Sequence, residues 1–123
     1  MTEPPARLLD MARALLQRAD PETAGLWPRA AALLARQALE AALDDFWREK
    51  GVALDGCPTR PQLICLRGYA DAKLAGRIHH AWAALSGACH QHPYELAPGH
   101  AELAAWLGNV DDLLTSLGGS QTP

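Results

Sequence analysis

Apolar residues recur along this chain three and four positions apart, the spacing that lines one face of an α-helix. A first stretch, from about Pro4 to Ala19, puts Leu8, Met11, Ala12, Leu15 and Ala19 on one stripe. Asp20-Pro21 then punctuates the pattern, since Asp suits a helix N-cap and Pro a first helical turn. After a short turn over 22–26, Pro28 opens the longest pattern, Trp27 to Lys50, with Ala32, Ala35, Leu39, Ala42, Leu43 and Phe46 in register. Gly51 follows as a C-terminal cap. Residues 51–58 form a loop containing Asp55-Gly56. Thr59 is then the expected N-cap of a shorter helix reaching about Gly68, with Pro61 in its first turn. Asp71 caps the next pattern, Ala72 to Cys89, whose stripe is Leu74, Ile78, Ala81, Trp82, Leu85 and Cys89. Pro93 and Pro98 interrupt 90–99. The last pattern runs from about Gly99 to Leu117, with Leu103, Leu107, Val110, Leu114 and Leu117 inward, and residues 118–123 read as a flexible tail.

Amphipathic helices joined by short loops bury their stripes by antiparallel packing. The predicted fold is all-α: an up-and-down bundle of four main helices plus one shorter helix, a single domain over residues 1–117. Helix should exceed about 60% of the chain, against a typical one-third. Leu39, Leu43, Phe46, Trp82, Leu85, Leu107, Val110 and Leu114 are the expected core. Many inward positions are Ala, which lets helices approach closely. Trp27, Trp47 and Trp106 then remain to be placed, more apolar surface than one small bundle hides. That predicts a homodimer or a partner protein.

Composition narrows the picture. Among 123 residues, Ala supplies 24 and Leu 20, whereas Val, Ile and Thr together supply nine. Strands draw on β-branched residues, so an all-β sandwich or barrel is excluded. No apolar run reaches the roughly 18 residues of a membrane span. The start, MTEPPARLLD, lacks the basic and apolar stretches of a signal peptide, so a cytoplasmic location is expected. The formal net charge of −3 argues against general nucleic-acid binding, which relies on basic residues. Three cysteines, Cys57, Cys65 and Cys89, are an odd number without a secretory signal and predict reduced thiols.

Reactive side chains concentrate between Ser86 and Leu96. His79 and His80 lie about three helical turns before His90, and His100 lies just beyond the segment. Cys89, His90, His92 and His100 include plausible zinc-ligand types. They make one crowded cluster with no second ligand pair, so no metal and no cofactor is expected. Ser86 or Cys89 beside a histidine could form a nucleophilic dyad, yet no G-x-S-x-G elbow is present. No Gly-rich phosphate loop occurs either. Metal-independent RNA cleavage is a fourth candidate, beside a purely structural role for the segment. It needs a histidine near the 2′-hydroxyl and a cation on the scissile phosphate.

Here the segment resembles the HEPN superfamily, small helical bundles of prokaryotic defence and toxin systems. That family carries an Arg, four to six residues, then His, and many members add a Tyr two residues later. His92-Pro93-Tyr94 is similar to the end of that motif. Glu95 to Leu103 is similar to the turn and final helix after it, and Ala35-Arg36-Gln37-Ala38-Leu39-Glu40 to an early core helix. The resemblance implies His92 as the catalytic residue, with His90 and Tyr94 beside it. The chain departs from the motif at one position: five residues before His92 stands Gly87, not arginine. Arg60, Arg67 or Arg77, or an arginine of a second subunit, would have to bind the phosphate.

Three readings follow. The first is a HEPN-like interaction module with a degenerate site, acting as a dimer or on a partner protein. The second is a metal-independent ribonuclease, with RNA as substrate. The third is a scaffold bundle without a ligand. Gly87 and the acidic balance favour the first.

Overall fold

A computed structural model describes residues 4–17, 27–54, 56–90 and 99–119. Among these the helices run in order α1 (Pro5–Gln17), α2 (Trp27–Lys50), α3 (Thr59–Leu66), α4 (Ala72–Cys89) and α5 (His100–Gly119). There is no strand among the described residues. The bounds of α2 and α4 are those the apolar spacing predicts. Ala19 and the Asp20-Pro21 break lie outside the described residues. At the other end, α5 continues past Leu117 through Gly118 and Gly119.

Local chemistry explains where the helices stop and start. Gly51 has φ +71°, the left-handed conformation that an L side chain resists. Its N–H bonds the Arg48 carbonyl and the next N–H, of Val52, bonds that of Trp47. These two bonds satisfy the last carbonyls of α2 in the Schellman pattern. Asp71 caps α4 as expected: its carboxylate accepts the Leu74 N–H at 3.2 Å. Thr59 does not cap α3. The N-cap position is Pro58, which makes no side-chain cap bond, and Thr59 begins the helix with its hydroxyl turned to Glu40.

Contacts between side chains set the helix directions. Ala75 and Ile78, early in α4, pack with Leu43 to Trp47 late in α2. Leu85 and Ala88, late in α4, pack with Ala32 to Ala38 early in α2. The two helices are therefore antiparallel. Arg13 pairs with Asp111 and the carbonyl of Leu16 accepts from His100, so α1 and α5 are antiparallel as well. The result is an up-and-down bundle of α1, α2, α4 and α5, with α3 set against the α2–α4 side. One diagonal is collapsed, since α2 and α5 run parallel and still touch. Ala31, Ala32, Ala35 and Ala38 on α2 are fully buried and small enough to admit Leu103, Leu107 and Val110 across the diagonal.

The predicted core holds for Leu39, Leu43, Phe46, Leu85, Leu107 and Val110. Trp82 and Leu114 are only half-buried. On α5 the adjacent Leu113 takes the fully buried place instead. On α1 the buried residues are Leu9, Ala12 and Leu16, while Met11 is exposed and Leu8 and Leu15 are half-buried. Leucines in adjacent pairs at 8–9 and 15–16 allow two stripes, and docking on the alanine face of α2 selects one. The tryptophans also depart from expectation. Trp47 is fully buried, and Trp27 and Trp106 are half-buried against the core, so they do not form an exposed apolar patch.

Candidate functional site

The site begins with an unusual residue choice on α2. Arg36 and Glu40 sit one turn apart beside the buried alanine stripe, where charge is costly unless partnered. Glu40 answers that cost with several donors. Its Oε2 accepts the Thr59 hydroxyl at 3.0 Å and the Trp82 indole N–H at 3.1 Å, and lies 3.9 Å from Arg36 Nε. One carboxylate oxygen thus ties α2 to α3 and α4. This explains the half-burial of Trp82: its ring must stay near the rim for Nε1 to reach Glu40. The outer face of that ring is taken by Arg60, whose guanidinium carbon lies 5.9 Å from the ring centroid.

Further along the same face of α4 come Ser86 and Cys89, at four and seven residues from Trp82. The Ser86 hydroxyl and Arg36 Nε are buried without a hydrogen-bond partner. Burial pushes the Cys89 thiol above its ordinary pKa, a shift Arg36 opposes and Glu40 reinforces. A thiol held protonated near neutrality is a poor nucleophile. The arrangement is a polar clamp between helices, with one carboxylate oxygen shared by two donors and a thiol disfavoured as thiolate.

A pH dependence follows. A thiol whose pKa is higher in the folded chain than in the unfolded one adds stability at low pH. That contribution is complete below the ordinary value of 9.0 and is lost as the pH rises from there through the folded value. Stability against urea should fall more steeply above that pH in the wild type than in Cys89→Ala. Limited alkylation at neutral pH, read by mass spectrometry, should modify the exposed Cys57 and Cys65 before Cys89. Equal rates at all three would contradict the burial argument.

The residues singled out from the sequence do not converge among the described positions. His90 is exposed at the C-cap of α4, where its N–H bonds the Ser86 carbonyl. His92 and Tyr94 lie outside the described residues. Arg60 covers Trp82 on the α2 flank of α4. Arg77 donates to Asn109 Oδ1 at 3.1 Å, on the α5 flank. Arg67 is exposed at the C-cap of α3. His100 donates from Nε2 to the Leu16 carbonyl and its ring lies 6.0 Å from that of Trp27, joining α5 to α1 and α2. Comparisons with known protein families, with curated proteins and with solved structures find no match. Among the described residues, no group of three or more His, Cys, Asp or Glu side chains could hold a metal ion. No helix among them is long and apolar enough to cross a membrane.

A cavity of about 300 Å³ opens between the start of α1, the second half of α2 and the end of α5. Pro5, Ala42, Phe46, Leu114 and Leu117 line it, with Asp45 beside them. It brings none of the candidate residues together. Arg36 and Glu40 were not among the residues predicted to act. An opposite-charge i, i+4 pair flush against an alanine stripe was the signal that could have marked them.

Proposed function

We propose that the chain is a HEPN-like helical interaction module that does not itself cleave RNA, part of a bacterial defence or toxin–antitoxin system and acting in the cytoplasm as a homodimer or on a partner protein. The observation that supports this reading is how the outlying arginines are used. Arg60 is stacked on Trp82, Arg77 is bonded to Asn109, and Arg67 sits at the far end of α3. These placements support a reading in which the arginine that Gly87 replaces has no substitute. A ribonuclease reading, with His92 as the catalytic histidine, has one observation in its favour: the charge of Arg36 is close enough to Cys89, at the end of α4, to favour its thiolate.

Position 87 permits a direct test. Gly87 is exposed on α4, and a Cβ there would meet nothing within 4 Å. Gly87→Arg should fold, and should gain up to about 1 kcal/mol of stability from helix propensity. The purified wild-type chain should leave RNA intact without metal. Gly87→Arg should introduce cleavage, and a further His92→Ala should remove it. Robust metal-independent cleavage by the wild type would overturn the module reading, and its loss in Arg36→Gln would point to the ribonuclease.

A further inference from the structure

The short helix α3 carries an exposed stripe that the bundle does not need. Gln62, Leu63 and Leu66 face inward and satisfy its packing. Alongside them Arg60, Ile64 and Arg67, at i, i+4 and i+7, form one exposed line. Ile64 is 63% exposed, and Tyr69 just beyond the helix is 50% exposed. Tyr69 is nonetheless anchored, its ring edge-on to buried Trp47 at 5.3 Å. Arg60 is held in place over the Trp82 ring. An exposed isoleucine flanked by two arginines, with an exposed tyrosine beside them, is the composition of a contact surface.

Charge identifies what would fit it. Residues 56–90 hold four of the eleven Lys and Arg but one of the fourteen Asp and Glu, a formal +3 against −6 for the rest of the chain. The single acid there, Asp71, is occupied in capping α4. Two of those four cations, Arg60 and Arg67, lie on α3 and its C-cap, and on a chain of net negative charge they steer acidic groups toward this helix.

We propose that the Arg60–Ile64–Arg67 face of α3, with Tyr69, is a docking surface for an acidic segment of a partner protein that places an apolar side chain between carboxylates. This rests on the interaction-module reading and adds the surface and the partner's chemistry. The apolar centre supplies contact area and the flanking arginines supply specificity and rapid encounter.

The test uses the full chain, labelled with nitrogen-15 and titrated with a synthetic peptide of repeating Glu-Glu-Leu. Parallel titrations use polyglutamate and oligouridylate. The peptide should shift the amide resonances of Arg60, Ile64, Arg67 and Tyr69, and bind more tightly than polyglutamate. Its affinity should fall with salt. It should fall about tenfold in Arg67→Glu and in Ile64→Ser. Both positions are exposed, so circular dichroism should show the same helix content in each variant. Absence of shifts on α3, unchanged affinity in both variants, or tighter binding of oligouridylate would each overturn the proposal. Unchanged affinity would refute this face and leave the module reading intact. RNA cleavage by the wild type would refute the module reading, and the peptide result would still decide the face.

Discussion

Trp47→Ala is expected to be the most destabilising single truncation in the bundle, costing about 3–5 kcal/mol. Trp47 is the largest fully buried side chain, packed edge-on to Phe46 and in contact with Tyr69. Its indole N–H also donates to Gln62 Oε1 at 3.0 Å. Gln62 is itself buried and donates to the Cys57 carbonyl. Removing the indole therefore opens a cavity and strands a buried acceptor, two costs that add. Small domains have about 5–15 kcal/mol of total stability, so the loss takes a large share of it. Urea unfolding of Trp47→Ala and Trp47→Phe separates the terms, since Phe restores most of the volume but no donor. Leu43→Ala and Leu107→Ala, both nearly inaccessible to solvent, should each cost about 2–5 kcal/mol. Neutral melts for all of these would mean the helix faces are wrongly assigned.

Glu40→Ala is the second large effect, at about 1–3 kcal/mol. The substitution leaves the Thr59 hydroxyl, the Trp82 indole and Arg36 without the oxygen they share. The side chain is 31% exposed, so water can replace part of what is lost. Glu40→Gln should fall between the two, because an amide oxygen still accepts while the charge facing Arg36 is gone. A double-mutant cycle with Thr59→Val measures the α2–α3 link directly. Coupling indistinguishable from zero would remove Glu40 from its role as the tie between helices. Such a clamp also bears on function, since it holds Arg60 and α3 in the position from which the proposed docking face is presented.

The clearest features of the sequence are those carried by backbone chemistry over a few residues. The bounds of α2 and α4 were legible from period, from the Asp71 cap and from Gly51, because caps and left-handed turns are decided within one or two helical turns. The buried face of α2 was legible for the same reason: only one stripe on it is continuously small and apolar. The face of α1 was not, because Leu8-Leu9 and Leu15-Leu16 satisfy two registers equally and only the docked partner discriminates between them.

The candidate site divides along the same line. The density of histidine and cysteine after Ser86 is a property of adjacent residues and could be read directly, as could Gly87 at the motif's arginine position. Which cations approach that segment depends on residues dozens of positions away, and periodicity carries no information about it. Arg36 and Glu40 are four residues apart in sequence, and only the packing of α3 and α4 beside them makes Glu40 a shared acceptor. Arg77 likewise acquires its partner only because α4 and α5 run side by side. By itself the sequence determined an all-helical chain, its stopping points and most of its inward faces, since propensity, capping and amphipathic spacing act locally. The tertiary structure alone decided which charges meet, where Trp47 is buried and that Ile64 is left in water, because those follow from packing between segments far apart in the chain.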